Sequence, residues 1–592
     1  MSASSTYGFR PARPASSHRY LAAFRPARRR APTRIVPSSA ARTSPSARGG
    51  AAQVVLEVKD LKTYFFTYDG IVRALDGIDL TIRRGETTGI VGETGCGKSV
   101  TAFSIDRLIS EPGRVVSGKI LFKGADLLWG LDKEARFRRQ RGTDRVTIKR
   151  SFRRIKAGNE RMSAVRGRGI SMIFQEPMQA MNPVFSISDQ LGEALLLHRG
   201  LEIVDGLLAA DRGAGLETIG EVPGAGGGSE GVPAQMIDAL LEVAVKGKRE
   251  DLRAAAERVA THVGVPSVGA ELFYLLRNAG ADAPRYRHRV VKTLRRFHLT
   301  RGQRTYLRHQ RRLMTLQVQL NQVYLKEMAA GKPLARQRGV LRARMRLERM
   351  RRFYFGMFGY KRRVTKPLKL ETFWRTVLLL EGVRIANPAQ IAKSYPHELS
   401  GGMLQRVMIA MALCSDPEVL LADEPTTALD VTIQMQIIEL MNQLRERVGT
   451  AIVLITHDLG VVAEVCNRVN VMYAGVVVES APVHELFRRP LHPYTQGLLS
   501  AIPRMDRPDK ELASIPGSVP NLITPPPGCR FHPRCPYAMP ICKEKRPEVL
   551  VQGEEHGVAC FLYQEVEPPH GETASALTPD AAPAGTPVRA PA

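Results

Sequence analysis

The chain has 592 residues, 44% of them hydrophobic, enough for one large domain with insertions or for two domains. Its formal charge of +29 calls for a polyanionic partner or for local basic segments. No run approaches the roughly 20 apolar residues of a membrane-spanning helix, so any membrane role requires separate membrane subunits.

Residues 1–50 are rich in Arg, Ser, Ala and Pro and contain no Asp or Glu. That composition suits an organellar transit peptide or a Pro-rich tail. The repeated Pro argues against a long amphipathic helix, so residues 1–52 are expected to be disordered. Val55–Val58 and Ile78–Ile82 read as strands, the second with the alternation of an antiparallel pair. After the turn Arg84-Gly85-Glu86, Thr87–Val91 reads as a strand running into a Gly-rich loop. Residues 170–175 form a short apolar segment and 187–198 a helix. Residues 211–233 read as a flexible Gly-rich loop, and 235–263 as amphipathic helix.

A basic block from Arg285 to Lys369, poor in Gly and Pro, suits charged surface helices. Tyr395 to Ala474 returns to α/β text, with apolar strands before Ala422 and at Ala451–Thr456. The expected organisation is a tail (1–52), the first part of an α/β core (53–200) and a helical region with Gly-rich loop and basic insertion (201–392). The second part of the core (393–481), a C-terminal extension (482–567) and a disordered tail (568–592) follow.

Gly92-Glu-Thr-Gly95-Cys96-Gly97-Lys98-Ser99 fits the phosphate-loop pattern, between a strand and a helix that opens with Val100. Its backbone amides would close around ATP phosphates, Lys98 would reach the β and γ phosphates, and Ser99 would bind Mg²⁺. Val419-Leu-Leu-Ala-Asp423-Glu424 is an apolar strand ending in two carboxylates. Alone it could be an acidic turn. With the phosphate loop, Asp423 reads as a Mg²⁺-shell residue and Glu424 as the group that polarises the attacking water.

Four further motifs carry a family resemblance. Leu399-Ser400-Gly401-Gly402-Met403-Leu-Gln405-Arg406 resembles the signature of ABC ATPases, Phe174-Gln175-Glu176-Pro177 their Q-loop, and Thr456-His457-Asp458 their switch histidine. Ala428-Leu429-Asp430 resembles the D-loop. The resemblance implies a RecA-like P-loop core with a small antiparallel β-subdomain and a helical subdomain. It implies a head-to-tail dimer in which Ser400, Gly401 and Gly402 of one subunit cap ATP held by the other's Lys98. Gln175 would sense Mg²⁺, His457 would contact the γ phosphate, and Asp430 would lie at the dimer interface. Phe65 is the candidate adenine-stacking ring and Tyr68 the runner-up, though either could serve the core instead.

Met172–Met178, Met181-Asn-Pro183, Tyr395–Met403, His492–Leu498 and Ile515–Pro520 are similar to the peptide and nickel importer branch, nearest its D-type ATPase subunit. That implies two membrane permeases, a second ATPase subunit (homologous, or a second copy), an extracytoplasmic solute-binding protein, and a peripheral place on the cytoplasmic face of the membrane. Peptide is the leading solute, with nickel and others open. Cys96 departs from the Ser common in this branch, and Arg136–Glu160 and the region between Arg199 and Lys369 are additions.

Cys529, Cys535, Cys542 and Cys560 are separated by five, six and seventeen residues. Four thiolates suit structural zinc or a [4Fe–4S] cluster; spacing slightly favours zinc, and the resemblance implies iron–sulfur. The paired arginines of the basic block, among Tyr306, Phe353, Tyr354, Phe355 and Phe358, suit an anionic membrane surface or a permease first, a solvated surface second and nucleic acid last. Two competing functions are a non-transport ABC ATPase of DNA repair or translation and a scaffold without hydrolysis. The single motif set argues against the first, and intact Lys98, Gln175, Asp423, Glu424 and His457 against the second.

Overall fold

A computed structural model describes residues 53–139, 146–213, 234–354, 361–426, 430–501, 515–553 and 555–564. The readings made for both tails, for residues 214–233, for Phe355 and Phe358, and for Ala428 and Leu429 fall outside them.

The strands in chain order are β1 (Val54–Phe66), β2 (Ile71–Arg83), β3 (Thr87–Val91), β4 (Gly113–Phe122), β5 (Ala125–Asp126), β6 (Ala135–Arg139) and β7 (Val146–Arg150). They continue with β8 (Ile170–Ile173), β9 (Val419–Asp423), β10 (Ala451–Ile455), β11 (Arg468–Tyr473), β12 (Val476–Pro482), β13 (Leu550–Gln552) and β14 (His556–Val558). An antiparallel sheet runs β2-β1-β4-β5, and a larger sheet runs β13-β14-β12-β11-β3-β10-β9-β8. Strands β11, β3, β10, β9 and β8 are parallel; β12, β14 and β13 extend that sheet antiparallel. The expected strand at Val55–Val58 is the start of the thirteen-residue β1.

Continuous apolar text in β9 and β10 follows from burial on both faces. Val419, Leu421, Val453 and Ile455 pack toward the antiparallel sheet, whereas Leu420, Ala422, Ile452 and Leu454 pack against helices on the other face. The C-terminal edge of each parallel strand therefore opens into the loops that carry the phosphate and acidic motifs.

A second core unites Leu195, Val204, Ile237, Leu240, Val259, Leu272, Phe297, Leu307 and Leu368. Here the helix expected at 187–198 runs to Gly213, so the helical region starts at Ile187 and not at 201. Gly200 lies inside it because a side chain there would strike Met314, at 2.5 Å from its methyl carbon. The glycine permits close packing rather than ending the helix.

The basic block forms the helix Arg301–Ala330, capped by Thr300 and Gln303 and closed at Gly331, and the helix Ala335–Tyr354 folds back on it. Charged surface helices are only part of the outcome. Some of its arginines pair with buried acids: Arg338 with fully buried Glu327 at 2.8 Å and Arg296 with Glu271 at 2.9 Å. Arg342 pairs with Glu160, which joins the two basic additions to each other. The outer face of Ala335–Tyr354 exposes Val340, Leu347, Met350 and Phe353 beside Arg336, Arg344, Arg346 and Arg349.

Candidate active site

Strand β3 is buried along its whole length and delivers the chain into the phosphate loop. Two glycines there are sterically required. A Cβ on Gly92 would lie 2.2 Å from the Met472 carbonyl oxygen, and one on Gly97, at φ 103°, would lie 2.7 Å from that of Ala74. Cys96 is buried beneath the loop, and burial pushes its thiol up, so this departure from Ser leaves the phosphate side to backbone amides. The helix Lys98–Ile105 starts at the loop and includes Ser99 and Val100. Lys98 is buried, and its Nζ donates to the carbonyls of Gly92 (2.8 Å) and Glu93 (3.1 Å). An ammonium has three donors, so one is left for a phosphate oxygen.

Ser99 Oγ donates to Asp423 Oδ1 at 2.9 Å. Asp423 is buried, and its Oδ2 accepts no hydrogen bond. A buried carboxylate oxygen without a partner beside a serine hydroxyl fits a divalent cation, as Mg²⁺ between these two side chains would supply the missing charge. Burial pushes the Asp423 carboxyl up to about 6, against the Ser99 hydrogen bond and with the neighbouring Glu424 charge adding to the rise. Without the cation, this group's contribution to stability is fully present below the ordinary carboxylate value and is lost as pH rises through about 6. Mg²⁺ must displace any proton there. Its affinity is therefore expected to be level above that value and to fall about tenfold per pH unit below it, which calorimetric Mg²⁺ titration of the ATP-bound chain checks. A Mg²⁺ affinity and pH profile unchanged by Asp423→Asn would remove Asp423 as a ligand.

Glu424 follows in a left-handed conformation, at φ 44°. Backbone strain of this kind concentrates at functional sites. Gln175 Nε2 donates to Glu424 Oε2 at 2.8 Å, and His457 Nδ1 lies 3.5 Å from Oε1. The Q-loop, the acidic strand end and the switch histidine thus meet on one carboxylate. The sequence reading puts Gln175 at Mg²⁺; in the structure its amide meets the carboxylate next to Asp423.

Ser400 caps the helix Gly401–Leu413, accepting from Met403 N at 3.4 Å, and space beside Gly401 is open. Asp430 caps Val431–Val448, accepting from Ile433 N at 2.7 Å. Both are exposed at the starts of their helices. Phe65, one residue before the end of β1, holds its ring over Gly113 and is half-buried, and Tyr68 in the following turn is 86% exposed.

Sequence reasoning missed three supports. Gln405 Nε2 donates to the Pro425 carbonyl at 2.8 Å, tying the signature helix to the acidic strand end. The Tyr494 hydroxyl accepts from Glu93 N at 2.9 Å, and Arg534 binds the Glu93 carboxylate. The family motif His492–Leu498 pointed to the first residue of that pair without its role.

Cys529 N donates to the Cys542 carbonyl at 2.8 Å, and all four C-terminal cysteines are free thiols. Burial pushes Cys560 up to about 11, and the charges of Cys529, Cys535 and Cys542 add to it, which puts the four in one neighbourhood. Among the described residues, however, no group of three or more His, Cys, Asp or Glu is arranged to hold a metal ion.

A phosphate loop, a Mg²⁺-competent Ser–Asp pair and a glutamate held by Gln and His define a P-loop ATPase. An ABC transporter profile matches residues 75–249 and 287–427, and a profile for the C-terminal region of oligopeptide/dipeptide transporters matches 478–542. The chain belongs to the ABC transporter family, as one of its ATP-hydrolysing proteins. It is 32% identical to the probable peptide ABC transporter ATP-binding protein y4tR of Sinorhizobium fredii, over 87% of this chain and 97% of that protein. It is 32% identical to the oligopeptide transport ATP-binding protein AppD of Bacillus subtilis (86% and 97%) and 30% identical to OppD of Salmonella typhimurium (86% and 94%). Among the described residues no helix is long and apolar enough to cross a membrane.

Proposed function

We propose that this ATPase powers import of peptides through two partner permeases, with an extracytoplasmic binding protein delivering the solute. The observation that carries the reading is the C-terminal segment matched at 478–542, which packs onto the ATPase core through Tyr494 and Phe531 against Tyr473. The relatives' names supply the solute class.

ATP is held by Gly92, Gly95, Cys96, Gly97, Lys98, Ser99 and Val100, with Phe65 as the adenine platform. Ser400, Gly401, Gly402 and Asp430 of a second ATPase subunit complete the site. Glu424 polarises water, and Gln175 and His457 orient it. The partner is a sibling ATPase or a second copy. Cys529, Cys535, Cys542 and Cys560 supply the four thiols that a [4Fe–4S] cluster, or Zn²⁺ as the alternative, would have to draw onto a common centre. Four crowded thiols repel one another when ionised, and a bound cationic centre relieves this. The arginines and exposed apolar side chains of Ala335–Tyr354 suit an anionic cytoplasmic leaflet and support a peripheral position on that face.

Co-purification of the tagged chain from its native membranes tests the reading. Two permeases and a peptide-binding protein in the eluate support it. Nucleic acid or ribosomes without permeases would sink it.

A further inference from the structure

Glu93 is the second residue of the phosphate loop, and its main chain and side chain serve different parts of the molecule. Its carbonyl accepts from Lys98 Nζ at 3.1 Å and from Cys96 N at 3.3 Å, so its backbone helps shape the loop. Its carboxylate points the other way. Arg534 Nη1 donates to Glu93 Oε2 at 2.8 Å, and Nη2 donates to Oε1 at 3.1 Å, a two-pronged pair.

The guanidinium has little freedom. Its side chain is 7% exposed, its Nε donates to the Pro516 carbonyl at 2.8 Å, and Nη2 donates to that of Ile515 at 3.2 Å. Nη1 also donates to the Tyr473 hydroxyl at 3.3 Å. Arg534 closes the short turn His532–Arg534, which lies between Cys529 and Cys535. Arg530, from the same stretch, pairs with Asp76 on β2 and with the Ala474 carbonyl. The cysteine-bounded turn therefore grips the ATPase core at two points, one of them the nucleotide loop.

We propose that Arg534 is a positioning residue for the phosphate loop: the folded four-cysteine segment holds its guanidinium on Glu93 and so sets the affinity for nucleotide. The inference rests on the ATPase reading. The electrostatics give it a sign. A carboxylate without a cation beside a polyphosphate repels it, whereas the guanidinium both neutralises Glu93 and turns it from the phosphates. Loss of Arg534 should therefore be worse than loss of both partners, because the pair's removal also removes the repulsion.

The test is binding of a fluorescent ATP analogue to the full chain and to its Arg534→Gln, Glu93→Gln and doubly substituted forms, with KM and kcat for ATP. Arg534→Gln is expected to weaken binding and raise KM by about tenfold, a step of about 1.4 kcal/mol, with kcat little changed. Glu93→Gln added to it should recover part of the loss, and Arg534→Lys should fall between. Cys535→Ser should weaken binding similarly, and combining it with Arg534→Gln should add nothing. Labelling by a thiol-specific probe, unchanged in Arg534→Gln, verifies that the segment stays folded.

Parental affinity in Arg534→Gln, or a loss that Glu93→Gln leaves untouched, overturns the proposal, as does multiplication of the Cys535 and Arg534 effects. If the unmodified chain binds no ATP analogue, the ATPase reading falls with it; binding by the unmodified chain with indifferent variants strikes the positioning role alone.

Discussion

Glu424→Gln is expected to lower ATP turnover by about 10²- to 10⁴-fold while nucleotide still binds. The carboxylate is the meeting point of the Q-loop and the switch loop, receiving Gln175 Nε2 at 2.8 Å with His457 Nδ1 at 3.5 Å. An amide of the same shape keeps one carbonyl acceptor for Gln175 but cannot polarise or take a proton from water. It also removes a negative charge close to Asp423, so ATP and Mg²⁺ should bind at least as tightly. Steady-state phosphate release and equilibrium ATP binding, measured on one preparation, separate the two. Turnover within about fivefold of the unmodified chain would move the base elsewhere.

The second large effect is on stability. Glu479, on β12, is buried with a side chain at 0% exposure, and it accepts from Leu491 N at 2.7 Å and His492 N at 3.0 Å. His556 Nε2 lies 2.7 Å from the same carboxylate. One side chain thus satisfies the start of the C-terminal extension and pins β14 to the main sheet. Glu479→Ala strands two buried amides and an imidazole, and should cost about 3–5 kcal/mol in urea unfolding. Glu479→Gln, which keeps one acceptor, should cost less. Equal and small losses in both would show that the extension is held mainly by its aromatic cluster.

Much of the catalytic constellation was legible because it is local. Gly92–Ser99 must have its glycines where backbone passes Met472 and Ala74, and a strand buried on both faces must be apolar up to Asp423. Such constraints leave residue types in fixed order. The Arg534–Glu93 pair spans 441 positions, and a lone arginine among Pro and Cys carries no sign of its partner. The basic insertion was legible as helix but not as architecture. Composition records that Arg338 and Arg342 are charged, yet only packing reveals that they face Glu327 and Glu160. The helix expected at 187–198 continues to Gly213 through Gly200, where Met314 approaches closely.

The order in which a ribosome delivers these parts differs from the order in which they act. Glu93 leaves the tunnel 441 residues ahead of Arg534, which at typical synthesis rates is roughly 20–90 s. β3 likewise waits for β10 and β11, its neighbours on either side. A nascent chain therefore carries its nucleotide loop early but without the sheet around it or the guanidinium behind it. Full affinity for ATP is therefore expected only once the cysteine-bearing segment has docked, and a chain truncated before that segment should bind ATP about tenfold more weakly.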